Sequence, residues 1–355
     1  MDNYFLAEFT NEKEHMKAFL GLPSVVYKGD KNYVKENVKK VISWLLGDHP
    51  CADFLVQKNL LVYKHGVAVA RGIAFVNEVG GFGSIGFFEC LEDERAVSII
   101  VDEARGFCSE HGIEKIYATM NGSIWGNYRI MTKGFEHKPF LGEPYNKSYY
   151  YELLIKCGFN IAQTWQSQFM KNTRQDEVAN RIKFIASLKQ SDNIKIRSMQ
   201  NLDEDILILY KLIMNSFSEF FLFHPLEKNT FIELYKGMKK ISDRRTMFLG
   251  FDKNNNPLGF GIAIPNYRNI FDYLFKKTNR YILWLFGIAK ENGKPKDFHA
   301  YNMLLNPILK FLYNNNKGCI SALMNQNSKT LTTAKGYDYT HEYVLLEIKI
   351  FSLSH

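Results

Sequence analysis

The chain has 355 residues, 46% hydrophobic and 23% charged, an ordinary globular composition rather than a disordered or fibrous one. At roughly 100–200 residues per domain two domains are expected, each able to bury a core without disulfides or metals. The 45 Lys and Arg exceed the 37 Asp and Glu by +8. That excess tolerates an anionic ligand, but it is dispersed rather than gathered into the stripe a nucleic-acid binder uses.

Residues 58–63 and 67–76 are β-rich runs split by Lys64-His65-Gly66, which predicts a hairpin. A Gly-rich turn at 80–83 and a strand at 84–90 follow. Residues 94–111 space Ala96, Ile99, Ile100, Ala104, Phe107 and Cys108 as one helical face, stopped by Gly112. Residues 113–120 alternate like a strand, and 145–156 form a helix ended by Gly158. Thr173–Lys189 is an amphipathic connecting helix, and the domain boundary is placed near Asp192, giving domains 1–191 and 192–355.

The second half repeats this order. A strand at 194–199 precedes a helical stretch over 203–241 that breaks near Pro225. Strands at 246–252 and 257–265 are joined by the turn Lys253-Asn254-Asn255-Asn256. A buried strand at 281–289, a helix at 301–313, a strand at 318–324, a short helix at 328–335 and a last strand at 343–350 complete it. The repeat also shows in letters: Ala118-Thr119-Met120-Asn121 against Ala322-Leu323-Met324-Asn325, with Gly158-Phe159 against Gly336-Tyr337.

The five cysteines are scattered, with no C-x-x-C, and no H-x-x-x-H pairs the nine histidines. Neither a disulfide framework nor a metal site is expected. Met1-Asp2-Asn3-Tyr4-Phe5 is no secretory signal. The longest apolar run, Tyr281–Ala289, falls short of the ~20 residues a membrane helix needs. A soluble, cytoplasmic protein is expected.

A mixed sheet ordered strand, helices, hairpin, strand, helix, strand, helix, strand resembles the GNAT acyltransferase superfamily, and two copies in series resemble the bacterial tandem-GNAT proteins. Ile196-Arg197 with Asp203, Asn325-x-x-Ser328 leading to Gly336-Tyr337, Pro144-Tyr145-Asn146 leading to Gly158-Phe159, and Gly86-Phe87-Phe88-Glu89 carry the resemblance, the last two to a poorly characterised subgroup. It implies an α+β fold in which two central parallel strands splay and the pantetheine arm of an acyl-CoA lies in the gap. The pyrophosphate then sits on the amino end of the following helix.

In the first half Glu89-Cys90-Leu91-Glu92-Asp93-Glu94-Arg95 occupies the phosphate-loop place, with four acids and no glycine, so it repels pyrophosphate. In the second, Gly287, Ile288, Ala289, Lys290, Gly293, Lys294, Ala300 and Asn302 are the expected acyl-CoA contacts, and Lys290, Lys294 and Lys296 supply the positive charge. The expected activity is acetyl transfer from acetyl-CoA to a small-molecule or peptide amine by direct attack, in a monomer or homodimer.

The chemistry needs a base, an oxyanion donor and an acid for the leaving thiolate. Glu89, at a strand end beside Phe87 and Phe88, is the candidate base. Asn325 ends a central strand, and Tyr150 is the candidate acid on the 145–156 helix. The tyrosine that the family places four residues before the Gly-aromatic pair is Leu154 in the first half and Thr332 in the second. Trp125, Tyr128, Arg129 and Tyr145 lie in a Gly-containing loop suited to a substrate pocket. Two other readings are a degenerate ligand-binding or scaffold protein and an aminoacyl-tRNA-dependent transferase.

Overall fold

A computed structural model of the chain describes residues 3–173, 176–187, 194–267, 270–297, 299–325 and 337–350. In chain order the first half runs β1 (Tyr4–Phe9), α1 (Lys13–Val26), α2 (Val38–Leu45), β2 (Leu55–Lys64), β3 (Val67–Asn77), β4 (Phe82–Cys90), α3 (Glu94–Glu110), β5 (Lys115–Ala118), β6 (Ile130–Lys133), α4 (Tyr149–Lys156) and β7 (Asn160–Met170). Next come α5 (Asp176–Ser187), β8 (Lys195–Ser198), α6 (Leu202–Ser216), α7 (Lys228–Tyr235), α8 (Met238–Ile241), β9 (Met247–Phe251) and β10 (Pro257–Pro265). The chain then continues through α9 (Ile270–Leu274), β11 (Arg280–Ile288), β12 (Lys290–Glu291), β13 (Lys294–Pro295), α10 (His299–Asn314), β14 (Gly318–Asn325) and β15 (Tyr339–Lys349).

These elements form two compact units. The first is Met1–Trp165 with His341–His355, and the second is Gln166–Thr340. In the first, β1, β2, β3 and β4 are consecutive antiparallel neighbours, β4 runs parallel to β5, and β5 is antiparallel to β15. The second has the matching order β8, β9, β10, β11, β14, with β11 parallel to β14 and β7 beside it.

The helices follow local rules. At α3 the Asp93 carboxylate accepts from the Ala96 amide, and Ala96, Val97, Ile100, Val101, Ala104, Phe107 and Cys108 form its buried stripe. Gly112, at φ +70°, ends it by taking the left-handed conformation that glycine adopts at no steric cost. That stripe meets Leu60, Val62, Ala74, Val76 and Ile85 of the sheet, the centre of the first core. In the second unit α10 lays Leu304, Ile308 and Leu312 on the sheet in the same way.

The expected strands and hairpins are present, with shorter limits at β5 and a later start for α4. The stretch 203–241 is three helices, because the chain turns at 217–227. The expected helix at 328–335 lies outside the described residues. The connecting helix is α5, yet the two units divide at Trp165/Gln166 and again at Thr340/His341 rather than near Asp192. The physical reason is where each half's closing strand pairs. β15 pairs Leu346, Glu347, Ile348 and Lys349 with Ala118, Tyr117, Ile116 and Lys115 of β5. The end of β7 instead lies along β14: Leu323 N donates to Ser167 Oγ at 2.9 Å, and Thr173 N to the Lys317 carbonyl at 3.0 Å.

Candidate active site

In the first unit the β4–β5 ladder covers Gly83↔Ile116, Ser84↔Tyr117 and Ile85↔Ala118 and then stops. β4 bulges against β3 between Arg71 and Ile73, with Phe87 at φ +49°. At the parting point the Met120 amide still reaches the Ile85 carbonyl (2.9 Å), and the Asn121 side chain accepts from Phe87 N (2.8 Å). Gly86 is required there, since a Cβ would lie 2.7 Å from both Asn121 Cα and the Met120 carbonyl oxygen. Beyond it β4 runs without β5.

That departed stretch is covered by α4. Tyr149 Oη donates to the Cys90 carbonyl at 2.8 Å, while Tyr150 Oη accepts from the Cys90 amide at 3.0 Å. Tyr150 passes its own proton toward Glu89 Oε2 at 2.5 Å. The structure therefore brings Glu89 and Tyr150 together. Burial pushes the Glu89 carboxyl up to about 7, with the Arg71 guanidinium and the Tyr150 hydroxyl pulling the other way. Tyr27 lies beside the same carboxyl, and burial together with that charge keeps its phenol protonated. Arg71, fully buried, spends its donors on the Phe19 carbonyl (2.7 Å) and on Glu36 (2.7 Å).

The amino end of α3 is likewise filled from within. Asp93 caps Ala96 (3.0 Å), accepts from Tyr4 (2.8 Å) and pairs with Lys64 (3.1 Å). A second anion there would meet this carboxylate at close range, so the residues of this notch do not suit the pyrophosphate and pantetheine of an acyl-CoA.

The loop after β5 brings two of its four expected residues together. The Arg129 guanidinium carbon sits 3.7 Å from the centre of the Tyr128 ring and 4.4 Å from that of Trp165. Arg129 also donates to Tyr128 Oη, and its backbone is at φ +98°. Trp125 is half-buried, its amide on Ser123 Oγ at 3.2 Å. Tyr145 stands apart from that stack and donates to Asp30 at 3.1 Å, beside Lys147. Glu143 of the same loop, also a pocket candidate from the sequence, is a buried group whose cluster the sequence did not reveal: it is bonded to His341 Nδ1 at 2.8 Å and to the Tyr343 hydroxyl, with its other oxygen on Phe140 N. Its partners come from the far end of the chain, so no local pattern could have revealed it.

In the second unit the β11–β14 ladder runs from Arg280↔Gly318 to Leu283↔Ser321 and ends there. β11 continues to Ile288, with a bulge against β10 between Ile262 and Ala263. The basic segment after it folds as a two-residue hairpin. Asn292 (φ +53°) and Gly293 (φ +74°) form its turn, and Lys290 and Glu291 pair with Pro295 and Lys294. Asn215 of α6 holds the hairpin by accepting from Lys290 N at 2.6 Å. Lys290 pairs with Glu219 at 2.6 Å, whereas Lys294 is exposed. Asp297 accepts from His299 N at 2.7 Å at the start of α10.

The remaining expected cofactor contacts divide. Ile288 and Asn302 are partly exposed. Ala300 is wholly buried against Ile194 and Leu258. A Cβ on Gly287 would come within 2.5 Å of the Phe260 ring, so this glycine serves packing. The Ala289 amide is taken by the Leu258 carbonyl at 2.8 Å. Asn325 ends β14.

No protein-family profile matches the chain. It is similar to the protein YghO of Escherichia coli, at 18% identity over 260 residues, covering 72% of this chain and 66% of that protein, just under two thirds. A tandem GNAT protein from the clavulanic acid biosynthesis pathway superposes with a TM-score of 0.58 at 9% identity, covering 98% of this chain and 99% of that one. A GCN5-related N-acetyltransferase from Sphaerobacter thermophilus gives 0.54 at 12% identity, over 98% and 96%. The chain thus has the mixed α/β fold of the GNAT acetyltransferases. More particularly, it has the tandem form of that fold along nearly its whole length. No helix among the described residues is long and apolar enough to cross a membrane.

Proposed function

We propose that the protein is an acyl-CoA-dependent N-acyltransferase, acetyl-CoA being the expected donor, with the acyl-CoA site in the second unit. The observation that carries this reading is the arrest of the β11–β14 ladder at Leu283↔Ser321, which leaves backbone of β11 beyond the reach of β14. An extended pantetheine amide can bond to such backbone. The cationic hairpin follows directly, with Lys294 and Lys296 facing solvent as phosphate partners and Lys290 shared with Glu219. When bound, the donor supplies an activated thioester. The chain's part is to hold it, to orient an amine beside it, and to offer Asn325 at the end of β14 as a polar partner.

A second arrangement is favoured by the Glu89–Tyr150 pair: a carboxyl titrating near neutrality next to a phenol is equipped for proton transfer. Against it stand the Asp93 carboxylate at the amino end of α3 and the Tyr149 and Tyr150 contacts that close the notch over Cys90. Calorimetry with acetyl-CoA separates the two. Wild type binds, Lys294→Glu binds roughly tenfold or more weakly, and Glu89→Gln binds as wild type does if the second unit is the site. The reverse pattern moves the site to the first unit. No heat up to millimolar ligand removes both and leaves a non-catalytic scaffold.

A further inference from the structure

Arg129 carries a positive charge that no carboxylate among the described residues neutralises. Its side-chain partners are Tyr128, Trp165 and, through space, the Tyr343 hydroxyl. Burial without an acid lowers its affinity for its proton, the reverse of what an ion pair does. A buried guanidinium is costly to leave uncompensated, and side chains of this kind are ordinarily paired. The Nε atom is sealed from water with no hydrogen-bond partner. Among the described residues, the side-chain hydrogen bond that Arg129 makes goes to Tyr128 Oη.

The geometry narrows what could complete the group. Tyr128 and Trp165 lie over the guanidinium, their rings 5.8 Å apart and nearly perpendicular, so stacking on its plane is already in use. Arg129 is partly exposed and its Nη1 has no hydrogen bond among the described residues, so the Nη end keeps N–H donors for two coplanar oxygens. The backbone at φ +98°, which a non-glycine residue rarely adopts, aims the side chain into this stack. With Arg129 the cation of this stack, a monoanion suits it better than a doubly charged phosphate.

We infer that Arg129, clamped by Tyr128 and Trp165, binds a small molecule through its carboxylate. The carboxylate site itself stands on Arg129 alone.

The test uses the full chain, with benzoate as probe, benzamide as its neutral isostere and inorganic phosphate as the alternative anion. Trp165 fluorescence and the arginine Nε–H resonances are the readouts, Arg129 being assigned through its proximity to the Trp165 indole. Benzoate is expected to bind saturably, to move the Arg129 Nε–H signal, and to bind roughly tenfold more tightly than benzamide. Arg129→Gln is expected to lose that preference, and Arg129→Lys, which keeps the charge without the fork, to lose most of it. Equal binding of benzoate and benzamide, preference for phosphate, or undiminished binding by folded Arg129→Gln overturns the proposal. Should both variants unfold, the wild-type resonance shift with benzoate against benzamide decides alone. Acetyl-CoA calorimetry is run in parallel. Benzoate binding without acetyl-CoA binding sinks the enzyme reading and spares the carboxylate site, and the converse spares only the enzyme.

Discussion

Tyr150 and Glu89 lie 2.5 Å apart, oxygen to oxygen, on elements 61 residues distant in sequence, and the same hydroxyl accepts the Cys90 amide. One phenol thus satisfies both a buried carboxyl and the strand that carries it. Tyr150→Phe leaves two buried polar groups without their partner, each costing about 1–3 kcal/mol. Urea unfolding is expected to show a loss of that order. A change below about 0.5 kcal/mol, the size of an ordinary surface substitution, would mean the hydroxyl is not holding this site together.

The Glu89 carboxyl also makes stability depend on pH. Its folded pKa is raised from 4.5 to about 7, so between those values the folded state keeps a proton that the unfolded chain has lost. Stability therefore falls as pH rises through this window and levels off above it, a difference of about 3 kcal/mol when complete. Glu89→Gln removes the titration. Compared at pH 5 and pH 8, the variant should gain on the wild type at the higher pH. An unchanged difference between the two proteins refutes the assignment.

Gly86 and Gly287 both sit on the strand that leaves its parallel neighbour, but they tolerate a methyl group differently. At Gly86 the obstacle is backbone of Met120 and Asn121, whereas at Gly287 it is chiefly the Phe260 ring, which can turn. Both alanine variants overpack, at about 1–3 kcal/mol. Gly86→Ala should be the more damaging, by thermal unfolding.

Lys294 is exposed on the hairpin after β11. If it meets a phosphate, Lys294→Glu weakens acetyl-CoA binding roughly tenfold or more, equivalent to about 1.4 kcal/mol, and the loss shrinks as salt is added. Binding that ignores both the substitution and the salt places the nucleotide elsewhere.

The central elements of both halves were legible because their signals are local. Alternation marks β2 and β3, the apolar stripe and Gly112 mark α3, and the asparagine-rich turn marks the β9–β10 hairpin. Glu89 drew attention because two phenylalanines precede it, and Tyr150 because of the resemblance of its helix, although their contact is not a local property. The lysines and Gly293 of segment 290–296 suit a phosphate, but Asn292-Gly293 is also the strongest short hairpin signal, and the turn by itself accounts for the glycine. β1 was missed because it is short and Phe5 is exposed, and α1 because Gly21 and Pro23 interrupt its pattern. The Glu143 cluster and the pairing of β15 with β5 were out of reach, since strand pairing is chosen by the fold and not by neighbours along the chain.

That pairing bears on synthesis. When the ribosome has delivered Met1–Trp165, β5 has no partner on its outer side, and the strand that will cover it is made only after the second unit. The nascent first unit must wait through the synthesis of Gln166–Thr340 with an unprotected strand margin, which is the kind of surface that invites pairing with a stranger.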